Sequence, residues 1–236
     1  MDPVFMWECM LEIIGGAWLT FKLVSISILI GFFLAIGCAL LRMSKFRVVS
    51  NTIGGYVFVI RGTPLIVQLF LIYYGLGQLV WLRESFLWEF FREPFWCAIL
   101  ALTVNTTAYG SEIIRGGIQA VPWGQIEAAR ACGMSRFLLF RRVIFLIGIR
   151  QALPAYGNEI ILMVKATSLA STITILEMTG IARSIIAVTF RPIEVFIVAG
   201  TFYLLFNFVA TRIIQLVEYR LMGHLRPPPA MNGARA

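Results

Sequence analysis

The side chains able to do chemistry in this sequence are few, and the most conspicuous is a carboxylate in an apolar setting. Glu159, with Asn158 before it, stands in the run of residues 153–162. A charge at the centre of a hydrocarbon span costs about 2.5–3.5 kcal/mol on insertion scales, so Glu159 must face a bundle interior, an aqueous cavity or a cation. Two readings stay open. One is a functional contact with a cation; the other is a structural salt bridge to an arginine on a neighbouring helix, such as Arg212. Asn105, followed by Thr106 and Thr107, poses a similar choice between hydrogen bonds to neighbouring helices and contact with a ligand. No catalytic constellation accompanies them. The acids are scattered, His224 is the one histidine, and Cys9, Cys38, Cys97 and Cys132 show no CxxC spacing. These types and spacings offer neither paired acids, nor a zinc cluster, nor a disulfide framework, with Cys9–Cys97 the one conceivable bridge. Gly-x-x-x-x-Gly-Lys-Ser/Thr, the phosphate loop of nucleotide-driven proteins, is absent from the sequence. We expect no catalytic residue, no metal, no cofactor and no enzymatic activity in this chain.

A second candidate is residues 126–144, the longest polar interruption, where Arg130, Arg136, Arg141 and Arg142 stand against the single acid Glu127. Pro122 suits a helix start because its missing N–H is not needed there. Glu127 lies early, where a carboxylate favours the positive helix end, and Ala128, Ala129 and Ala131 are strong helix formers. Gly133 is the natural stop, since glycine takes a left-handed cap cheaply. Ser135 then caps a second helix with the stripe Phe137, Leu138 and Phe140. The pattern predicts a short helix, a glycine turn and a second amphipathic helix at the membrane surface; a solvated basic loop is the plainer alternative.

The elements that must hold these residues are membrane helices. The 236 residues are 59% hydrophobic and 14% charged, with a mean hydropathy of +0.85, which is more apolar surface than a soluble domain of this length can hide. We expect an all-α polytopic membrane protein of about five transmembrane helices in one domain. Spans are expected at residues 23–41, 62–82, 94–111, 143–164 and 193–217, the fourth interrupted by Arg150, Pro154 and Glu159. Pro64, early in the second, costs no early hydrogen bond. Residues 83–93, with Trp88, Phe90 and Phe91, suit an outer loop or interfacial helix. Thr174 and Glu177 read as a capping box for a short outer helix carrying Ile181, Ile185 and Val188.

Charge gives the orientation. Residues 1–16 contain Asp2, Glu8 and Glu12 but no Lys or Arg, so we expect no cleavable signal. Arg42, Lys45, Arg47 and Arg61 in one loop, five arginines from Arg115 to Arg142 in another, and Arg220, Arg226 and Arg235 in the tail outnumber the basic residues of the opposite side. The positive-inside rule puts the N-terminus outside and the C-terminus inside, and explains the formal charge of +8 without a nucleic-acid partner. Residues 218–236, with prolines at 227–229, form an expected inner tail without fixed structure.

Glu127-Ala128-Ala129, three residues, then Gly133 resembles the cytoplasmic "EAA" loop of bacterial ABC importer permeases. Arg61-Gly-Thr-Pro-Leu-Ile-Val-Gln68, the stretch from Ala101 to Tyr109 and residues 153–162 resemble the polar amino-acid class of that family, nearest to histidine, octopine and nopaline permeases. The resemblance implies a type I ABC importer permease fold in the bacterial inner membrane. It divides the chain into a periplasmic end (1–16), a transmembrane domain (17–217) with a coupling loop (122–142), and a cytoplasmic tail (218–236). It implies that Glu127, Ala128, Ala129 and Gly133 couple to an ATPase. Asn158 and Glu159 would line the substrate path, with Glu159 meeting a basic group; Asn105 is assigned to the same path. Implied partners are two ATP-binding cassette subunits, a second permease, the same or related, and a periplasmic solute-binding protein. The family pattern continues Ile-x-Leu-Pro; here Val143, Phe145 and Leu146 occupy those places and the proline is absent. A stand-alone secondary transporter is the alternative, but it needs its own coupling-ion site and often internal repeats, and no repeat is visible.

Overall fold

The computed structural model describes residues 2–221, so most of the expected tail, His224, Arg226 and Arg235 included, lies outside the described residues. Among the described residues every regular element is a helix. Three helices are long and apolar enough to cross a membrane, and five spans result if each of two bent pairs counts as one.

Helix α1 runs unbroken from Pro3–Arg42, 40 residues, or about 60 Å, twice a bilayer's hydrocarbon thickness. Asp2 starts it, its carboxylate accepting from the N–H groups of Val4 and Phe5 at 3.0 and 3.4 Å. The acidic residues expected to form a separate N-terminal segment are therefore the first turns of this helix. Cys9, Ile13 and Gly16 are already buried there.

The second expected span has a different shape. Helix α2 (Arg47–Gly62) and helix α3 (Leu65–Leu76) meet at 104° around Thr63 and Pro64. Proline pushes the residue before it out of the helical region, and Thr63 is extended, with ψ 143°. At 12 residues α3 reaches only about 18 Å and cannot cross alone. Gln68 holds the corner: its Nε2 donates to the carbonyls of Ile60 and Thr63 at 2.8 and 3.1 Å and to Thr63 Oγ1 at 2.9 Å. These are carbonyls that the end of α2 would otherwise leave unpaired.

Short helices α4 (Val80–Arg83) and α5 (Trp88–Phe91) lead to α6 (Pro94–Gln119), the centre of the bundle. Small residues let backbones approach it closely, as expected where no hydrophobic effect drives helices together. Gly31, Ala35 and Ala39 of α1, four apart, are buried against it, and a Cβ on Gly31 would strike the Thr106 side chain. On its other side Gly117 and Gly148 face each other, and a Cβ on Gly148 would lie 2.8 Å from Ile118 Cα.

Helix α7 (Trp123–Ala131) and α8 (Arg136–Leu139) follow; α8 continues through a π-turn at Phe140–Ile144 into α9 (Phe145–Ala166), with Pro154 inside it. The expected second surface helix is thus the first turn of the fourth span rather than a separate element. Within it Leu139 is buried and Phe137 exposed, so the expected stripe is displaced. A 3₁₀ stretch (Thr167–Ile173) leads to α10 (Met178–Thr189), and α11 (Pro192–Leu221) closes the chain. The expected capping box does not form. Thr174 sits in the left-handed region at φ 68°, and Glu177 itself caps α10. Val188 is 80% exposed, so the apolar stripe of α10 ends at Ile185. Nor is there a Cys9–Cys97 bridge: all four cysteines are free, and Cys97 Sγ donates to the Phe91 carbonyl at 3.2 Å.

Candidate functional site

Two places answer to the residues singled out above. At the first, α7 and the turn after it form the surface elbow. Gly133 adopts φ +76°, which only glycine takes without a Cβ clash. Its N–H donates to the Arg130 carbonyl at 2.9 Å, and the Met134 N–H to that of Ala129 at 3.2 Å. Ser135 then accepts from the Leu138 N–H at 3.4 Å. Glu127, Ala128 and Gly133 are exposed, while Ala129 is buried and anchors α7 to the bundle. Two exposed aromatics flank the elbow, Trp123 at 69% and Phe137 at 72%. Trp123 was missed in the sequence; a tryptophan on a polar, Ala-rich helix was its signal.

The second place is a cavity of about 460 Å³ between α2, α3, α6 and α9, lined by Arg61, Leu65, Asn105, Tyr109, Glu159 and Met163 among others. Asn105 makes the hydrogen bond to a neighbouring helix that the first of its two readings required, its Nδ2 donating to Gln68 Oε1 at 3.1 Å, and it also borders the cavity. Gln68 therefore joins to α6 the α2–α3 corner, whose Thr63, Pro64 and Leu65 line the cavity. Glu159, only 6% exposed, reaches the cavity from α9. Asn158 is exposed and lines the adjoining cavity of about 390 Å³, with Arg61, Tyr109 and Glu112. Arg212 is not the partner of Glu159: it lies 4.8 Å over the Phe208 ring and donates to Gln215 at 3.4 Å.

Arg61 corrects the sequence reading most. It was assigned to the basic loop, yet it sits in the last turn of α2, about 20 Å along the axis from Arg47. Its guanidinium lies 5.0 Å over the Tyr109 ring and within electrostatic reach of Glu159. Among the described residues no ion pair within 4.0 Å engages either Arg61 or Glu159. The site thus presents a guanidinium and a carboxylate to one open, partly apolar space that Asn105 also lines. It can hold a small molecule of both charges, and it has no cluster of ligands for a metal among the described residues.

Residues 27–223 match the family described as binding-protein-dependent transport system inner membrane component. The chain belongs to this family. The permease is 57% identical over 227 residues to the nopaline transport system permease protein NocM of Agrobacterium fabrum, covering 96% of this chain and 94% of that one. It is 41% identical over 213 residues to the histidine/lysine/arginine/ornithine transport system permease protein HisM of Escherichia coli, covering 90% of each. Among solved structures, a crystal structure of an amino acid ABC transporter with histidines superposes with a TM-score of 0.83 at 36% identity, covering 93% of this chain and 99% of that one. The fold expected from the sequence, that of a type I ABC importer permease, is the one observed.

Proposed function

We propose that this permease passes a basic or zwitterionic polar amino acid, or an opine, through the cavity that Arg61 and Glu159 share. The observation that carries the reading is the pairing of those opposite charges across one open space. Arg61 offers a planar fork to a substrate carboxylate, the strongest neutralising contact a side chain makes to that group. Glu159 offers a carboxylate to a cation, and Asn105 adds a neutral polar contact. Relatives named for nopaline and for histidine, lysine, arginine and ornithine support the class.

The acidic N-terminal stretch (1–16) faces the periplasm, residues 17–217 form the transmembrane domain of the bacterial inner membrane, and residues 218–236 and the loop 122–142 face the cytoplasm. There Glu127, Ala128 and Gly133 meet an ATP-binding cassette subunit, with Ala129 as the anchor on the permease side. Two such ATPase subunits, a second permease and a periplasmic solute-binding protein complete the importer. ATPase closure moves α7. Because α8 runs through the π-turn into α9, the same movement reaches Glu159 along one helix. The chain binds and releases substrate, and its partner hydrolyses ATP.

The test is uptake by the reconstituted complex. Glu159→Gln should cut uptake of basic amino acids while the ATPase still co-purifies. Undiminished uptake removes Glu159 from the path, and failure of any ATPase to co-purify with the wild-type chain removes the importer reading.

A further inference from the structure

The cavity of Arg61 and Glu159 does not end there. It continues toward the Arg42 end of the bundle as two further cavities of about 390 and 460 Å³. Arg61 and Tyr109 line all three and Glu112 the second and third, so the three adjoin along the same wall of α2 and α6. The last is walled by Arg42, Gly54, Phe58 and Glu112 beyond the shared residues.

Its charges do not balance. Arg115 engages Glu112 from one turn away on the same helix, donating through Nε at 3.1 and 3.0 Å and through Nη2 at 2.5 Å. Arg42 approaches the same carboxylate only at 3.5 Å, and its Nε is buried with no hydrogen-bond partner. Nη1 of Arg42 donates to the Ser50 carbonyl at 3.0 Å, and Ser50 Oγ donates back to the Arg42 carbonyl at 2.7 Å. Two guanidiniums, of Arg42 and Arg115, thus meet the Glu112 carboxylate, and the Arg61 guanidinium lines the same cavity as Arg42. Gly54 makes the arrangement possible, because a Cβ there would overlap the Arg42 guanidinium. Gly54 and Arg61 are two turns apart on one face of α2, so the Arg42 guanidinium crosses that helix about 10 Å from Arg61.

We propose that Arg42, with Arg61, forms a second anion subsite in which the substrate's carboxylate rests after the substrate's cation has left Glu159. The proposal rests on the reading of the Arg61–Glu159 cavity as the substrate path. The carboxylate exchanges one guanidinium for the next; no covalent bond forms or breaks. Glu112, already neutralised by Arg115, does not hold the departing cation. The station therefore selects for release of molecules that carry a carboxylate, and Arg42 is a specificity-determining contact.

The experiment uses the whole complex, with its ATPase and solute-binding protein, in proteoliposomes, and L-arginine as probe. Arg42→Gln should lower the maximal uptake rate about tenfold, the loss of one charge-assisted contact, with half-saturation unchanged. Arg42→Lys should restore most of the rate. Ser50→Ala, which removes the Oγ bond to the Arg42 carbonyl but keeps the guanidinium's bond to the Ser50 carbonyl and every charge, should be close to wild type. Gly54→Ala, which keeps every charge but displaces the guanidinium, should match Arg42→Gln, and it replaces that variant if the complex does not assemble. A normal rate in Arg42→Gln or Gly54→Ala overturns the subsite. So does an equal loss in Ser50→Ala, or a failure of Arg42→Lys to restore, since either makes Arg42 a strut between α1 and α2. Loss in Arg42→Gln beside normal uptake in Glu159→Gln would sink the Glu159 site and leave the anion subsite standing.

Discussion

Two buried glutamates divide this molecule into a part that holds and a part that handles. Glu177 is 0% exposed and Glu159 6%, so burial does not distinguish them. Their partners do. Glu177 accepts from the N–H groups of Thr179 and Gly180 at 3.0 and 2.9 Å and from the Tyr203 hydroxyl at 2.6 Å. Its oxygens are saturated by the fold, it caps α10, and it ties α10 to α11. Glu159 instead borders an open cavity across which Arg61 stands, with no ion pair within 4.0 Å among the described residues. A buried carboxylate whose acceptors the protein itself fills is structure. One facing space and an opposite charge is where we propose the site.

Glu177→Ala should break the comparison hardest on the stability side. It takes the carboxylate from the Tyr203 hydroxyl, which keeps only Thr179 Oγ1 at 3.0 Å, and leaves two backbone N–H groups without their acceptor, at a cost of about 3 kcal/mol. The thermal unfolding midpoint of the purified complex measures it, and an unchanged midpoint would erase the distinction. Glu159→Gln should do the reverse. We expect uptake of basic amino acids to fall about tenfold, one charged contact, with the midpoint within the spread of surface substitutions. Gly133→Asp strains a left-handed position by about 1 kcal/mol and sets a new charge on the proposed coupling surface. The complex should assemble and hydrolyse ATP without matching uptake, and coupled uptake at the wild-type ratio would contradict the role of the elbow. Tyr203→Phe removes one of the three donors to Glu177 and leaves the cap; about 1 kcal/mol of stability should go, with uptake untouched. Loss of uptake there would mean that the Glu177 cluster is part of the transport path.

Much of this was legible in the residues. Helix periodicity, the glycine at 133 and the serine at 135 gave the elbow, because caps and left-handed positions are local chemistry. The apolar setting of Glu159 marked it, because a charge in hydrocarbon always needs an explanation. What failed was non-local. An uncharged run from 62 to 82 looks like one span by hydropathy, yet Pro64 and the reach of Gln68 to Ile60 and Thr63 turn it by 104°. Once the corner moved, Arg61 went with it, from an inner loop to the cavity wall. Thr174 and Glu177 have capping-box spacing, but the chain enters the left-handed region at Thr174 and leaves Glu177 to cap alone. Hydropathy counts charges along the chain; it does not say which way a broken helix carries them.

The most direct test of the central claim is a cryo-electron microscopy map of the complex loaded with L-arginine. The account predicts ligand density between Arg61 and Glu159, its carboxylate against the guanidinium and its side-chain cation against the carboxylate. Density for the ligand elsewhere in the bundle, with that cavity empty, would contradict it.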